Sequence, residues 1–527
     1  MDLNAAESSS GGLFTDYVTN IYIYVMLIFF PIFTGFRGYA DITRSKYLFF
    51  LVATLLWLAL LLIGGVRSLL KNGCRKKKHL FLSAAPVRAA VVLFLLFCCA
   101  SAFLSPYRGA SLSGSGRYEG LFTTLLYGAV MLCISAFGKV RRGYVIAFAV
   151  SVSICCITAC LQLLGFNIFS LFPNQYSYYD AHIQYSSEFL GTIGNTNLLS
   201  GLLCLAIPLF LTGFITEGRP SVFLLLPAFL ASFVLFASRV SGGAVALAVY
   251  LAVCAPFLIT TRSRLIRWLF SMSVVSSAIA LSLSYAVEYD GQAVRFSLAG
   301  GTAFTAFAAG TLLLILLATF VLFFTKDSVF PNPRRLGGTV AAVIVLLAAS
   351  CAAAIYFYHG SSGTVYELSR VLHGDIRDEF GSSRIRIWRE VLALVPERPL
   401  LGGGPGTLGS RLDIRFSRYV PETGRTLASF VDNAHNEYLG YLADIGIPGL
   451  LSYLAAIILT VRRWLRSPKA ETLPPAFACS LVCYWVEGFF GLGLCIVAPV
   501  FWIFWGLALN NMYVDKSATE RNVISEP

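Results

Sequence analysis

The residues best suited to chemistry lie at the end of one long polar interval. Residues 359–436 hold three of the five histidines, ten arginines and no lysine, in a chain whose other charges occur in short clusters. The interval closes, directly before another hydrophobic segment, on the run Asp432-Asn433-Ala434-His435-Asn436. Histidine suits a general base because its ordinary pKa is about 6.5. His435 is therefore a candidate base, and a structural histidine at a membrane interface is the alternative.

The polar neighbours of this histidine give it possible partners. Asp432, Asn433, Asn436 and Glu437 are close enough in the chain to orient the imidazole ring or to raise its basicity. We expect Asp432 and Asn436 to belong to the same site as His435.

Three arginines have positions that suit phosphate binding. Arg239 stands in a very short turn between two apolar segments, and Arg384 and Arg386 open a predicted amphipathic helix. A guanidinium can hold phosphate oxygens through two parallel hydrogen bonds. The alternatives are an interfacial arginine that reaches lipid headgroups and, for the pair, a solvated helix face. Arg384 and Trp388 are four residues apart and share a face, which favours an inward-facing Arg384.

The predicted loop helix runs over residues 384–395. Ser382 and Ser383 precede it as capping residues, and Pro396 and Pro399 end it. Its apolar stripe is expected to comprise Ile385, Trp388, Leu392 and Val395.

Other polar residues open apolar segments. Arg117 precedes one such segment, and Asn195 and Asn197 precede another. The two amides could bind a sugar or cap a helix, and capping is the more favoured role. Glu487 is the single carboxylate deep in an apolar run, which makes it functional by default, although the sequence assigns it no role.

The composition places these residues in a membrane protein. The chain is 57% hydrophobic and 13% charged, whereas a soluble domain is about 25% charged. The net charge of +13 does not indicate nucleic-acid binding, because no basic run alternates with aromatic residues. The N-terminal residues 1–16 lack the basic region and cleavage site of a signal peptide. No metal-ligand pattern and no cofactor motif is evident.

Apolar stretches of about 17 to 25 residues can cross a bilayer core of roughly 30 Å. They begin near Tyr17, Tyr47, Val87, Gly120, Tyr144, Asn195, Ser221, Gly242, Leu265, Ala303, Thr339, Tyr438, Pro474 and Gly491. We predict an all-α polytopic integral membrane protein with about 12–14 transmembrane helices and one long, partly helical extracytoplasmic loop.

The predicted spans divide the chain into four regions. We expect about eleven transmembrane helices in residues 1–358, the extracytoplasmic catalytic loop in residues 359–436, further transmembrane helices in residues 437–513 and a cytoplasmic tail in residues 514–527.

The loop charges set the expected orientation. Alternating spans bring five basic loops to one side, which should be cytoplasmic: residues 66–88, 138–143, 261–268, 326–335 and 461–469. The other side receives residues 105–119, 166–194, the turn at Arg239, residues 288–300 and the long loop. One short loop dissents, because Arg37, Arg44 and Lys46 would also lie outside.

Several motifs together resemble the bacterial O-antigen ligase and O-antigen polymerase superfamily. The resemblance spans residues 117–450, and no single motif decides it. It rests on Gly194-Asn195-Thr196-Asn197-Leu198, Ser238-Arg239, Arg384-Ile385-Arg386-Ile387-Trp388 with Pro399-Leu400-Leu401-Gly402-Gly403-Gly404, and His435-Asn436-Glu437-Tyr438-Leu439 with Gly446-Ile447-Pro448-Gly449-Leu450.

This resemblance implies a GT-C-type glycosyltransferase in the bacterial plasma membrane. Such a protein takes a glycan from an undecaprenyl pyrophosphate carrier on the outer face and joins it to a glycan, lipid or protein acceptor, with neither nucleotide nor metal. By position, Arg239 and Arg384 match arginines that hold the pyrophosphate, and His435 matches the histidine that activates the acceptor hydroxyl. Arg386 is assigned to the same site, and Val240 stands where the family has a small residue.

Further residues on the same expected side complete the predicted substrate site. They are Arg117, Asn195, Asn197, Asp432 and Asn436. Direct attack by the acceptor would invert the anomeric centre, since no carboxylate nucleophile is evident beside His435.

Two rival functions use the same sequence features. A polymerase would extend one lipid-linked repeat with another at the same site. A flippase or transporter should place polar residues near the bilayer midplane and often has related halves. The polar residues here gather at the ends of the apolar segments and no repeat is evident, which disfavours transport.

Overall fold

The computed structural model describes residues 3–72, 84–172, 190–217, 219–290, 293–298, 301–326, 333–360, 363–420, 425–466 and 474–510. Its helices are α1 (Leu3–Ile32), α2 (Ile42–Asn72), α3 (Ala85–Phe103), α4 (Arg108–Ser113), α5 (Leu121–Phe137), α6 (Arg142–Leu163), α7 (Thr196–Glu217), α8 (Leu225–Ala237), α9 (Ser241–Leu258), α10 (Arg262–Ser282), α11 (Thr302–Phe324), α12 (Pro333–Tyr356), α13 (Thr364–Leu372), α14 (Phe380–Ala393), α15 (Glu437–Arg466), α16 (Pro474–Glu487) and α17 (Ala498–Asn510). Short 3-10 turns cover Gly38–Ala40, Ile168–Ser170, Arg219–Leu224 and Leu408–Ser410.

The helices confirm the predicted fold class. Among the described residues, ten helices are long and apolar enough to cross a membrane: α1, α2, α3, α6, α7, α9, α10, α11, α12 and α15. Three shorter apolar helices, α5, α8 and the last helix, α17, add to them. Each apolar stretch predicted from the sequence corresponds to one helix, because hydrophobic length alone determines where a helix can stay in lipid.

The centre of the bundle is α7. Every residue of this helix from Leu198 to Thr216 is buried. It packs against α16, α8 and α9. A helix that is apolar on all sides is stable only where neighbours cover it completely, so α7 forms a rigid core for the residues at its first turn.

Two hairpins add strands that the sequence did not predict. One pairs β1 (Tyr285–Asp290) with β2 (Ala293–Leu298), and the other pairs β3 (Arg415–Val420) with β4 (Arg425–Phe430). Both are antiparallel and two-stranded, and in the second Arg415 lies opposite Phe430. They occupy loops between helices, so the fold class stays all-α.

The helix predicted in the long loop exists as α14, but its start differs from the prediction. It begins at Phe380, and Ser382 and Ser383 have left-handed backbone angles, φ +59° and +63°, rather than capping geometry. No side-chain cap bond is present at its N-terminus. The predicted serine cap is therefore wrong, and a left-handed turn at residues 381–383 leads into Arg384.

The predicted apolar stripe of α14 is formed only in part. Phe380, Ile387 and Val391 are buried, Leu392 is exposed, and Trp388 is the stripe residue that packs against the core. Ile387 and Val391 join a small core with side chains of the adjacent loop and of α15. The buried face of α14 is the one that packs against that loop, and it differs from the face that the spacing of Ile385 and Leu392 predicts.

Lys46 explains part of the dissenting short loop. Its ammonium is buried and donates hydrogen bonds to the carbonyl oxygens of Phe30, at 2.7 Å, and Pro31, at 3.1 Å. Carbonyls at the end of a helix lack intrahelical partners, so this cation satisfies the end of α1. The charge of Lys46 serves the fold rather than marking a loop.

The expected division of the chain stays a prediction. In the structure α12 ends at Tyr356 and α15 begins at Glu437. The basic residues 75–78 and the tail at residues 514–527 lie outside the described residues.

Candidate active site

Polar residues from the ends of several helices line a cavity of about 520 Å³, called here the arginine cavity. The helices end there because charged groups cannot remain in the apolar layer. Seven predicted site residues line this cavity: Arg117, Asn195, Asn197, Arg239, Arg384, Asp432 and His435. The fold thus brings together residues from the start of α5, the start of α7, the turn between α8 and α9, and the long loop.

Two asparagines at the start of α7 have different roles. The Asn195 Oδ1 accepts a hydrogen bond from the backbone N–H of Leu198 at 3.1 Å and so caps the helix, as predicted. The Asn197 Oδ1 accepts a hydrogen bond from the Nη2 of Arg384 at 3.3 Å. Asn197 therefore holds a cavity arginine against the first turn of α7.

Arg384 keeps donor capacity that the described residues do not use. Its Nη1 donates to the Gly381 carbonyl at 3.1 Å, but its buried Nε has no partner. A buried donor left unpaired costs about 1–3 kcal/mol, so an anionic ligand at this position would be stabilised. Burial lowers the pKa of Arg384 from its ordinary value, with Glu487 opposing this shift, and an arginine stays charged at neutral pH.

Arg239 supplies the second cation on the cavity wall. It lies in the turn between α8 and α9, is exposed, and has a left-handed φ of +56°. The neighbouring Ser238 uses its hydroxyl to bond the Leu235 carbonyl at 2.8 Å. The short turn holds the guanidinium of Arg239 at the cavity.

Arg117 is committed to an ion pair within the cavity. Its Nε lies 2.6 Å from the Asp432 Oδ2, and the other oxygen of Asp432 accepts from the Asn433 Nδ2 at 2.6 Å. The side chains of Arg117 and Asp432 are 39% and 26% exposed, so solvent screens the pair only in part. This pair fixes the chain segment that carries His435.

His435 has a neutral imidazole at physiological pH. Burial, together with the nearby Arg384 and Arg117, lowers its pKa to about 4, and Asp432 opposes this shift. Asp432 raises the basicity of the ring, as expected, but burial and two cations outweigh this carboxylate, so the net pKa falls. A neutral ring can still accept a proton from a hydroxyl group.

The backbone around His435 is held from both sides. Its N–H donates to the Asn433 Oδ1 at 3.0 Å, and the Trp388 Nε1 donates to the Ala434 carbonyl at 3.1 Å. Asn436 is buried and caps α15, since its Oδ1 accepts from the Leu439 N–H at 3.0 Å. Among the described residues none hydrogen-bonds the imidazole ring, so the expected orientation of the ring by Asp432 or Asn436 is not formed.

A second cavity, of about 120 Å³, lies beside the first and is called here the acidic chamber. The two share Arg117, Asp432, Asn433, His435 and Leu492. Asn436 lines the chamber, together with three carboxyl groups besides Asp432: Glu119, Glu437 and Asp444. The chamber has room for several water molecules, each of which needs about 10–15 Å³.

The acids of the chamber are hydrogen-bonded. The hydroxyl of Tyr127 donates to Glu119 at 3.0 Å, and the backbone N–H of Cys495 also donates to it. The hydroxyl of Tyr453 donates to Glu437 at 2.9 Å. Burial raises the pKa of Glu119 well above its usual range, which favours the protonated form. Sequence reasoning missed the proximity of Glu119 and Glu437, since each is a single acid at the end of an apolar segment.

Two predicted or flagged residues lie outside both cavities. Arg386 is exposed on α14 with its guanidinium 5.8 Å from the ring centre of Phe416, which itself lines the arginine cavity. Glu487 is buried and lines neither cavity, although it interacts electrostatically with Arg384 and Glu437. The described residues include no group of three or more potential metal ligands, and metal independence stays a prediction.

Left-handed backbone concentrates around the arginine cavity. Seven described residues other than glycine have positive φ. Three of them line the cavity, namely Arg239, Ser382 and His435, and Tyr118 and Ser383 each adjoin a lining residue in the chain. Each such residue costs about 1–3 kcal/mol and persists where the surrounding structure imposes it. The surrounding fold thus fixes the direction of Arg239 and His435 at an energetic cost.

The glycine-rich segment after α14 has a structural role. The backbone N–H of Gly403 donates to the Ala443 carbonyl at 3.0 Å, and those of Gly404 and Gly406 donate to Asp444 at 2.8 Å. Because α15 satisfies these amides, the segment does not cradle a phosphate as a nucleotide loop would.

Comparison with known protein families supports the resemblance drawn from the motifs. A family model described as O-antigen ligase matches residues 293–454. No curated protein matches the chain. The match confirms the resemblance to the O-antigen ligase and polymerase superfamily and supports a ligase-like membrane glycosyltransferase. Arg117, Asn195, Asn197 and Arg239 lie before the matched residues, and the fold brings them to the same cavity.

Proposed function

We propose, from the match of residues 293–454 to the O-antigen ligase family, that this protein moves an oligo- or polysaccharide from an undecaprenyl pyrophosphate carrier to an acceptor hydroxyl. The reaction takes place on the outer face of the bacterial plasma membrane. One observation carries the proposal. Arg239, Arg384 and the neutral His435 line one cavity of about 520 Å³ at the ends of the membrane helices.

The arginines hold the donor in this mechanism. Arg384 has a buried unpaired Nε and Arg239 lies on the same cavity wall, so both can contact a pyrophosphate. Guanidinium groups bind phosphate oxygens in a bidentate manner and stabilise the negative charge that develops on the leaving group. Arg117 contributes less to donor binding, because the carboxylate of Asp432 already neutralises its charge.

His435 removes the proton from the acceptor hydroxyl. The acceptor oxygen attacks the anomeric carbon, the bond from that carbon to the pyrophosphate oxygen breaks, and the lipid pyrophosphate leaves with the electron pair. The proton passes to the imidazole of His435, which starts neutral. This single displacement inverts the anomeric centre. Asp432, the acid in the same cavity, is tied to Arg117 and Asn433, which disfavours its use as a nucleophile.

The partners follow from this reaction. The donor is a lipid-linked glycan that reaches the site from the bilayer, and the acceptor is a glycan, a lipid or a protein. The proposed steps use residues of the chain alone and require no cofactor and no metal.

A reconstitution experiment tests the proposal. Purified protein in liposomes receives a defined undecaprenyl pyrophosphate oligosaccharide, with and without separate acceptors. Transfer to a separate acceptor identifies a ligase, whereas a ladder of products on the carrier identifies the alternative, a polymerase of lipid-linked repeats. Movement of the intact donor across the bilayer, with no new glycosidic bond, would replace both by a flippase or transporter.

A further inference from the structure

Helix α13, in the long loop, has an unusual distribution of side chains. Val365, Leu368 and Leu372 occupy positions i, i+3 and i+7 and so form one stripe along the helix. They are 46%, 45% and 48% exposed, and Ile376 follows at 53%. Large apolar side chains therefore point away from the protein.

The polar side of α13 faces the protein instead. The Glu367 Oε2 accepts a hydrogen bond from the backbone N–H of Gly381 at 3.0 Å. Ser369 is buried, and its hydroxyl donates to the Tyr358 carbonyl at 3.2 Å. A surface helix in water has the opposite arrangement, with its apolar stripe on the core. An aqueous environment does not account for this orientation of α13.

The exposed stripe continues the lipid-facing surface of α12. In the candidate span Arg335–Tyr356 of α12, none of the 18 most apolar consecutive residues is buried. In a membrane this helix therefore faces lipid along its length. The helix ends at Tyr356, and Phe357 and Tyr358 beyond it are 69% and 42% exposed. His373, just after α13, stacks on Tyr356 with ring centres 4.1 Å apart. The two helices thus meet where α12 leaves the membrane.

We propose that α13 lies in the interfacial layer of the bilayer, with Val365, Leu368 and Leu372 inserted among the outer acyl chains. Helices of this kind bury an apolar face about 5–10 Å into the boundary between headgroups and acyl chains. Tyrosine favours the same layer, and Tyr356 and Tyr358 are exposed there, with Tyr356 packed edge-on against Phe357. The occupant of the stripe is the lipid of the membrane surface, which already covers α12.

This contact has a consequence for the donor site. Glu367 bonds the first residue of the left-handed turn that leads into Arg384. The membrane surface therefore sets the height of Arg384 relative to the phosphate layer. This consequence, unlike the membrane contact itself, rests on the proposed role of Arg384 in pyrophosphate binding.

Fluorescence quenching by brominated lipids tests the membrane contact without the transfer reaction. Leu368→Trp places a probe on the stripe of the full-length protein in liposomes, and Glu390→Trp places a control on an exposed charged position of α14. The signal is the difference from the unsubstituted protein, which has seven tryptophans. We expect lipids brominated near the headgroup to quench the Leu368→Trp signal about twofold or more beyond the control.

Two results would overturn the proposal. Equal lipid quenching of both probes, with strong quenching of Leu368→Trp by aqueous iodide, would place α13 in water. Protection of this probe from both quenchers would indicate a protein partner on the stripe. Leu372→Trp gives a second position if the first variant does not fold, with the same expected result. Since no catalytic step is measured, failure of the proposed transfer reaction would leave this test intact.

Discussion

The Nη2 of Arg384 donates a hydrogen bond to the Oδ1 of Asn197 over 3.3 Å, although 187 positions separate the two residues in the chain. The bond joins the long loop to the first turn of α7, a helix that is buried from Leu198 to Thr216. A guanidinium anchored in this way is pre-organised for its ligand, which lowers the entropy lost when it binds. The geometry of Arg384 therefore depends on two distant parts of the chain.

Substitution of the two asparagines of α7 should separate positioning from capping. Asn197→Ala should raise the donor KM several-fold, about 3–10-fold, because Arg384 loses a hydrogen-bond partner. Asn195→Ala should instead lower stability by about 0.5–2 kcal/mol with a smaller effect on the donor KM, because it caps α7. Thermal unfolding and donor kinetics on both variants test this; an unchanged KM in Asn197→Ala would refute the positioning role.

Removal of the proposed base should stop transfer without unfolding the protein. We expect His435→Ala to reduce kcat by about 10²–10⁴-fold, the usual contribution of general base catalysis, while binding of the lipid-linked donor persists. His373→Ala is the matched control, since this histidine lies in the same loop but stacks on Tyr356 outside both cavities. Activity of His435→Ala comparable to that of the control variant, in reconstituted membranes, would eliminate His435 as the base.

The pH profile should report the lowered pKa of His435. The pKa of about 4 lies below the ordinary 6.5, so the ring is neutral over a wider range and protonates only in acid. We expect kcat/KM to stay level between about pH 6 and 8 and to fall about tenfold per unit below about pH 4. Initial rates in liposomes over this range measure it. A fall centred near pH 6.5 would show that the buried environment does not persist in the active protein.

Of the three arginines that the sequence assigned to phosphate binding, Arg239 and Arg384 should bind the donor and Arg386 should not. Arg239→Ala and Arg384→Ala should each lower kcat/KM for the donor by about 10–100-fold, the effect of one or two charge-assisted hydrogen bonds. Arg384→Lys should recover only part of this loss, because an ammonium cannot bind in a bidentate manner. Arg386→Ala serves as the control on the same helix, since its side chain lies outside the cavity. Normal donor kinetics in both of the first two variants would exclude pyrophosphate binding by these residues.

The Arg117–Asp432 pair should act as one unit. Arg117→Ala and Asp432→Asn should each lower kcat by displacing the segment that carries His435, and the double variant should be little worse than either single one. The effect on stability should stay near 0–1 kcal/mol because both side chains are partly exposed. A double-mutant cycle on kcat and on unfolding measures both quantities; additive losses in kcat would mean that the two residues act independently.

Hydrophobic length predicted the helices well, because a segment in lipid must satisfy its backbone internally. It could not predict which face of α14 is buried, since Ile387 and Val391 pack against a loop that lies next to them only in the folded protein. The buried role of Lys46 is hidden for the same reason, because its partners are backbone carbonyls of another helix.

The candidate site shows the same limit. The motifs assigned Arg239, Arg384 and His435 to one site, and all three line one cavity. The motifs did not predict how this proximity changes the pKa of His435. Burial and two cations lower the pKa of His435, although the acids beside it in the sequence suggest the opposite shift. Arg386, two residues from Arg384, points to another side of the helix, as positions i and i+2 must, so only Arg384 of the pair lines the cavity.

The residues that line the arginine cavity come from two separate parts of the chain, which affects how chimeras of such proteins should be designed. Arg384 and His435 come from the stretch that matches the O-antigen ligase family, whereas Asn197 and Arg239 precede it. A chimera that receives only the long loop from a relative would inherit its histidine but keep the resident partners at α7 and at the α8–α9 turn. Altered specificity from such exchanges should therefore require both halves to be transplanted together.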